Sequence, residues 1–350
     1  MHGLGAVDLL SFARCSRALA HSADNPFAWL HTRANVTIKG SAIRVTNIKC
    51  IGRHAKIVMR VNPSRLIDTQ QAILAALSAF PLPLYELHVV GKHNEDCTGV
   101  IIRWVDLPIT TNLCVLDIPG GMTSELFNVD TLRYIAKLPR LHTLRVKMCA
   151  QNAAIWQPLP DFPSLTSLDI VDRHQYELDL GFKNSCLQHV RQCSKLTHLG
   201  IWSHALQDTG LEDFLRSSPQ LRNQLRSLRL VNISWSPDLF FSYTSAFSSL
   251  ANLSFLDIDG HGGQTEGSIL SCLSAVPSLR ALRVAQTDQY RSAKYVQAIA
   301  SLLSSSPQLH FTYYDLFYDL ESLKQYYATV PCLQPFVGKR LRKGKPSRVT

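Results

Sequence analysis

Two short stretches of this chain have residue types and spacing that could do chemistry on their own. Asp257-Ile-Asp259-Gly-His261 could set oxygen and nitrogen donors on one strand face as metal ligands. Asp257 also belongs to a periodic charge series described below, and no second ligand cluster accompanies it, so no metal is expected. Gly260-His-Gly-Gly263, running on to Gly267, is glycine-rich but lacks the Gly-Lys-Ser/Thr ending that holds phosphates, and reads as a turn. No Gly-x-Ser-x-Gly elbow occurs. The nine cysteines include no Cys-x-x-Cys, and the closest pair, Cys186 and Cys193, falls on an expected helix. The expectation is a protein without catalytic residues or cofactor, its thiols reduced, in the cytoplasm or the nucleus.

The chemistry that recurs is recognition. The phrase Leu-x-x-Leu-x-[Leu/Ile/Val] begins at Leu84, Leu113, Leu141, Leu165, Leu196, Leu225, Leu253 and Leu279, at intervals of 29, 28, 24, 31, 29, 28 and 26 residues. A period near 28 marks a stacked repeat, in which variable positions of successive units line one surface. The fifth positions are His88, Asp117, Arg145, Asp169, Gly200, Arg229, Asp257 and Arg283, alternating in sign from Asp117 onward except at Gly200. Parallel strands stack about 4.8 Å apart, so these residues are expected to form two short ladders of opposite charge. As exposed pairs they would neutralise one another, each contributing under about 1 kcal/mol; alternatively they orient a charged partner. At the break, His198, Gly200 and Trp202 share a strand face. Val171, Trp202 and Val231 would form an apolar row beside the space left by glycine. That combination has the composition of a binding hot spot, unless Trp202 simply packs on its neighbours.

The elements that must position these residues follow from the unit starting at Leu279. LRALRV alternates, with Leu282 and Val284 on one side of a strand and Ala281 and Arg283 on the other. Tyr295, Ile299, Leu302 and Leu303 then recur at helical spacing, with Ser292 as N-cap and Pro307 as stop. Pro or polar breaks precede the strand leucines elsewhere, in AKLPRL, PDFPSL, SSPQL and SAVPSL. Leu206-x-Asp-x-Gly-Leu211-Glu-Asp-Phe-Leu opens a helix after the fifth phrase. Extrapolating backwards reaches Lys56-Ile-Val-Met-Arg-Val61 as a degenerate first unit.

These phrases resemble the leucine-rich repeat family, in its longer, helix-containing form. The family's Asn or Cys three residues after the sixth position is matched by Cys149 alone. The resemblance implies an α/β solenoid, a horseshoe of about eight to nine strand–helix repeats, preceded by a small helical N-terminal segment. The organisation expected is a helical segment over 1–32, a connector over 33–55, and repeats over 56–310. An aromatic C-terminal cap over 311–336 and a disordered basic tail over 337–350 follow. On the concave face, Asp117, Arg145, Asp169, Arg229, Asp257 and Arg283 would surround His198, Gly200, Trp202, Val171 and Val231, and a protein substrate would bind there.

Residues 8–30 carry an amphipathic run, Leu9, Leu10, Phe12, Ala13, Cys15 and Leu19, followed by a short helix holding Phe27 and Trp29. Asp8-Leu9-Leu10-x-x-Ala13-x-x-Ser16-Arg17, then Asp24-x-Pro26-x-x-Trp29, resembles the second and third helices of an F-box. The family's Leu-Pro-led first helix has no match in residues 1–7. F-box proteins bind a Skp1-like adaptor and present substrates to a cullin–RING ubiquitin ligase. By this resemblance Leu9, Leu10, Phe12 and Trp29 take the apolar positions of the module, as core and as adaptor contacts.

Composition fits this reading. The chain is 46% hydrophobic and 18% charged, ordinary for a folded protein. No window approaches eighteen uninterrupted apolar residues, and Asp8 interrupts the one N-terminal stretch that could resemble a leader. Neither a membrane span nor secretion is expected. Of the formal +10 charge, Lys339, Arg340, Arg342, Lys343, Lys345 and Arg348 supply six, leaving about +4 on the rest. That tail could serve nuclear import, salt-sensitive nucleic-acid contact or solubility. The functional expectation is a substrate-recognition subunit of the ubiquitin ligase. The alternatives are a leucine-rich scaffold or inhibitor without a ubiquitin link, and a basic-tailed nuclear adaptor.

Overall fold

The structure, a computed structural model, describes residues 33–39, 42–44, 56–62, 84–89, 111–122, 128–148, 153–171, 184–203, 208–233, 246–260, 273–286, 300–306, 308–315 and 341–343. Their contacts divide into two compact units, one of residues 1–149 with 155–165, the other of residues 150–154 with 166–350. Both are α/β with parallel strands taken in chain order.

In the first unit the strands are β1 (Arg33–Lys39), β2 (Ala42–Arg44), β3 (Lys56–Asn62), β4 (Leu84–Val89), β5 (Val115–Met122) and β6 (Thr143–Met148). β3 through β6 pair in parallel with their chain neighbours, β1 lies parallel to β3, and β2 returns antiparallel along β1. In the second unit β7 (Ser167–Val171), β8 (His198–Trp202), β9 (Ser227–Ile233), β10 (Phe255–Gly260), β11 (Ala281–Gln286), β12 (His310–Asp315) and β13 (Leu341–Lys343) each pair in parallel with the next.

The register follows from the leucines. Leu168, Leu199, Leu228, Leu256 and Leu282 stand opposite one another, as do Ile170, Ile201, Leu230 and Ile258, and all are buried. In the first unit Leu87, Leu116 and Leu144 form a row of their own. The leading leucines at 113, 141, 165, 196, 225, 253 and 279 are buried too. A one-residue slip would turn each row outward, so burial pins the pairing. Each such side chain contributes roughly 2–3 kcal/mol relative to exposure.

Polar residues ahead of each strand tie one repeat to the next. The Thr166 carbonyl accepts from the Thr197 and His198 N–H groups at 2.8 and 3.0 Å, and the Thr197 carbonyl from Arg226 and Ser227 at 2.8 and 3.1 Å. Arg226, Ser254 and, in the first unit, Cys114 repeat the motif. Side chains reinforce it: the Thr197 hydroxyl donates to the Thr166 carbonyl at 3.1 Å, Ser254 to Arg226 at 3.0 Å, and Arg140 to the Asn112 side chain at 2.7 Å. These bonds satisfy backbone groups that would otherwise be orphaned where strands begin.

The return elements vary with the length available. The 28-residue interval after Leu113 holds α1 (Val129–Ala136). Asn128 caps α1, its side chain accepting from the Thr131 N–H at 3.0 Å, and α1 buries Leu132 and Ile135. The 31- and 29-residue intervals after Leu165 and Leu196 hold α2 (Asn184–Val190), then α3 (Asp208–Ser217) and α4 (Pro219–Gln224). The 24-residue interval after Leu141 is the shortest, and 3-10 turns at Ala153–Trp156 and Leu159–Asp161 take the place of an α-helix. A 3-10 turn advances about 2.0 Å per residue, so it covers the same return with fewer residues.

Three expected boundaries differ. The connector over 33–55 carries β1 and β2, because Ala34, Val36 and Ile38 alternate as a strand requires. The cap expected over 311–336 gives its first residues to β12, whose HFTYYD sequence is rich in strand-favouring aromatics. The tail expected to be disordered places Leu341–Lys343 in β13. Residues 1–32, 45–55, 316–340 and 344–350 lie outside the described residues. Among the described residues, no helix is long and apolar enough to cross a membrane.

Candidate functional site

The third, fifth and seventh positions of each phrase fall on one strand face, opposite the leucine rows. In the second unit, Asp169, Gly200, Arg229, Asp257 and Arg283 are successive cross-strand partners on β7 to β11, with Thr312 of β12 next to Arg283. In the first unit His88, Asp117 and Arg145 stand in the same relation on β4 to β6. The fifth-position series is therefore contiguous within each unit.

Its electrostatics are those of shielded pairs. The Asp257 carboxylate forms ion pairs with Arg229, whose Nε stands 3.3 Å away, and with the Arg283 guanidinium at 3.8 Å. Asp257 is only 2% exposed, while the two arginines keep 24% and 20% of their side-chain surface. The first-unit pair is looser: Arg145 stands 3.5 Å from Asp117, with exposures of 41% and 12%. Spacing alone leads one to expect all these pairs to be exposed. At Asp257 burial dominates, because a carboxylate out of water depends on its partners far more than one at the surface. Two guanidiniums on that carboxylate also repel a cation, and among the described residues no cluster of three or more potential ligands occurs. Asp257 and Asp259 share β10, whereas His261 lies outside the described residues.

At the break in the series, Trp202 pairs with Val171 on one side and Val231 on the other. Both valines are buried and Trp202 is partly buried, so the indole is the open member of the row. His198, four residues earlier, is exposed, and its Nδ1 lies 2.7 Å from the Thr197 hydroxyl. The space left by Gly200 is filled: a Cβ there would run into the Asp169 carboxylate, which leans across from β7. Glycine thus admits the neighbouring acid instead of leaving a void, a close approach that its spacing alone does not disclose. Beneath Trp202 the chain is held by Ser203, fully buried, whose N–H donates to the Val231 carbonyl at 3.1 Å.

The remaining reactive groups lie off this face. Cys114, Cys186 and Cys193 are buried thiols that form no disulfide. Burial pushes the Cys193 thiol up to about 12, which suppresses the nucleophilic thiolate. His189 on α2 is drawn below the ordinary histidine range by partial desolvation. The adaptor-contact candidates Leu9, Leu10, Phe12 and Trp29 lie outside the described residues.

No protein-family model matches the chain, and no curated protein matches its sequence.

Proposed function

We propose that this protein is a leucine-rich-repeat solenoid acting as a protein–protein interaction module, with the strand face that carries the third, fifth and seventh positions as its partner-binding surface. The observation that carries the reading is the row Val171–Trp202–Val231. It is a partly open indole on an in-register parallel sheet, flanked by a charge series whose members are already oriented by ion pairs. Rigid strands hold the anchor and its charged border without further ordering on binding, and an aromatic anchor within a polar surround is the arrangement that concentrates binding energy. The face offers shape and charge for a protein segment.

The F-box-like motif at 8–30 gives this module its cellular role in the proposal: the substrate-recognition subunit of an SCF-type cullin–RING ubiquitin ligase, with Leu9, Leu10, Phe12 and Trp29 engaging a Skp1-like adaptor. Affinity purification of the full chain from cells, read by mass spectrometry, tests it. The proposal expects adaptor and cullin to co-purify. Recovery of other partners with neither of those two returns the chain to a leucine-rich scaffold or inhibitor without a ubiquitin link.

A further inference from the structure

The C-terminal tail does something its charge alone does not describe. β12 is six residues long, and β13 covers it through three pairs, Phe311 with Leu341, Thr312 with Arg342 and Tyr313 with Lys343. β12 pairs with β11 along its whole length, and among the described residues β13 is the strand that meets the backbone donors and acceptors on its other side. A strand such as HFTYYD, aromatic and with a single acid, is a template for pairing with another chain when its edge is bare. β13 has the properties by which proteins blunt such edges. It is three residues long, two of them are basic, and Lys345 and Pro346 follow after Gly344.

We infer that β13 is an edge guard: a short basic strand, supplied by the tail, that occupies the open side of β12 and prevents that side from pairing with a second copy of this chain. A second copy is the fitting occupant because it brings its own β12, of equal length and the same strand-favouring sequence. Two such strands meeting about a two-fold axis pair antiparallel and satisfy both edges at once. The guard holds through backbone pairing, and its charges make it a poor template for further addition. The inference is independent of what binds the strand face.

Consecutive N–H groups of a strand point to opposite sides, so replacing two neighbours with proline removes whichever one reaches β12. The test compares the full chain with the Arg342→Pro/Lys343→Pro variant and an Arg342→Gln/Lys343→Gln control, which loses the same charge but keeps both N–H groups. Sedimentation velocity over a concentration series reads the mass, and circular dichroism checks folding. Wild type and the glutamine control are expected to remain at the monomer mass of 39.2 kDa. The proline variant should keep its fold and self-associate at least about tenfold more strongly, moving to twice that mass. A synthetic 337–350 peptide should reverse the association. Association of wild type, of both variants, or of neither overturns the inference. So does loss of fold in the proline variant, which would make β13 an integral strand.

Discussion

Replacing Asp257 with Asn keeps the side chain's size and removes its charge, leaving the Arg229 and Arg283 guanidiniums facing a neutral amide. Removing one member of a buried ion pair costs about 3–5 kcal/mol. Both arginines retain roughly a fifth to a quarter of their side-chain surface in water, which places the cost near the lower end, about 3 kcal/mol. Removing either arginine alone leaves the carboxylate one guanidinium, and should cost only about 1 kcal/mol. Removing both leaves the buried carboxylate with neither, so the double variant should cost clearly more than the sum of the singles. Urea denaturation followed by circular dichroism, on Asp257→Asn, Arg229→Gln, Arg283→Gln and the double arginine variant, measures each term and the coupling. Asp117→Asn supplies the comparison with a pair whose arginine is more exposed and should cost less, about 1–2 kcal/mol. If Asp257→Asn costs no more than Asp117→Asn, or if the arginine losses simply add, burial does not govern this triad and the reasoning fails.

Trp202→Ala should abolish capture of the partner recovered with the full chain while lowering stability by no more than about 1–2 kcal/mol, since the indole is only partly buried. A loss above about 3 kcal/mol in denaturation would make Trp202 a core residue. Gly200→Ala forces the Asp169 carboxylate aside and should destabilise by about 1–2 kcal/mol; the same substitution in an Asp169→Ala background should cost markedly less, and an unchanged cost refutes the close-approach account. Cys114, Cys186 and Cys193 should resist iodoacetamide in the folded protein and label readily in urea, checked by peptide mass mapping. The raised Cys193 pKa adds a pH dependence. The folded thiol titrates at about 12 against an ordinary value of 9.0, so its contribution is complete below pH 9 and is lost as pH rises toward 12. Denaturation midpoints should therefore fall with alkalinity above pH 9, and a Cys193→Ala variant should fall less.

The parts legible in the sequence were those that a two-residue alternation and a fixed interval can encode. The leucines starting each phrase, the strands they announce and the cross-strand order of Asp117 with Arg145, and of Arg229 with Asp257 and Arg283, all follow from spacing. The helix opened by Asp208 was legible as well, because Leu211, Phe214 and Leu215 cluster on one helical side. What spacing could not carry was how much water each position keeps. Asp257 and Asp117 occupy the same place in their phrases, yet Asp257 has an arginine on both sides within its unit and keeps 2% of its side-chain surface against 12% for Asp117. Gly200 stood out as a gap, but the Asp169 side chain that enters it belongs to the preceding strand. β12 and β13 were missed for another reason: aromatic density suggested a cap and positive charge suggested solvent. Edge pairing needs only backbone groups, which every residue but proline supplies.

The most direct test of the proposed role is calorimetric titration of the full chain with a purified Skp1-like adaptor. The proposal predicts one-to-one binding with a dissociation constant of about 1 μM or tighter, weakened at least tenfold by Leu9→Asp/Leu10→Asp and unchanged by Trp202→Ala. Absence of binding at roughly 100 μM, or binding indifferent to Leu9 and Leu10, would contradict it.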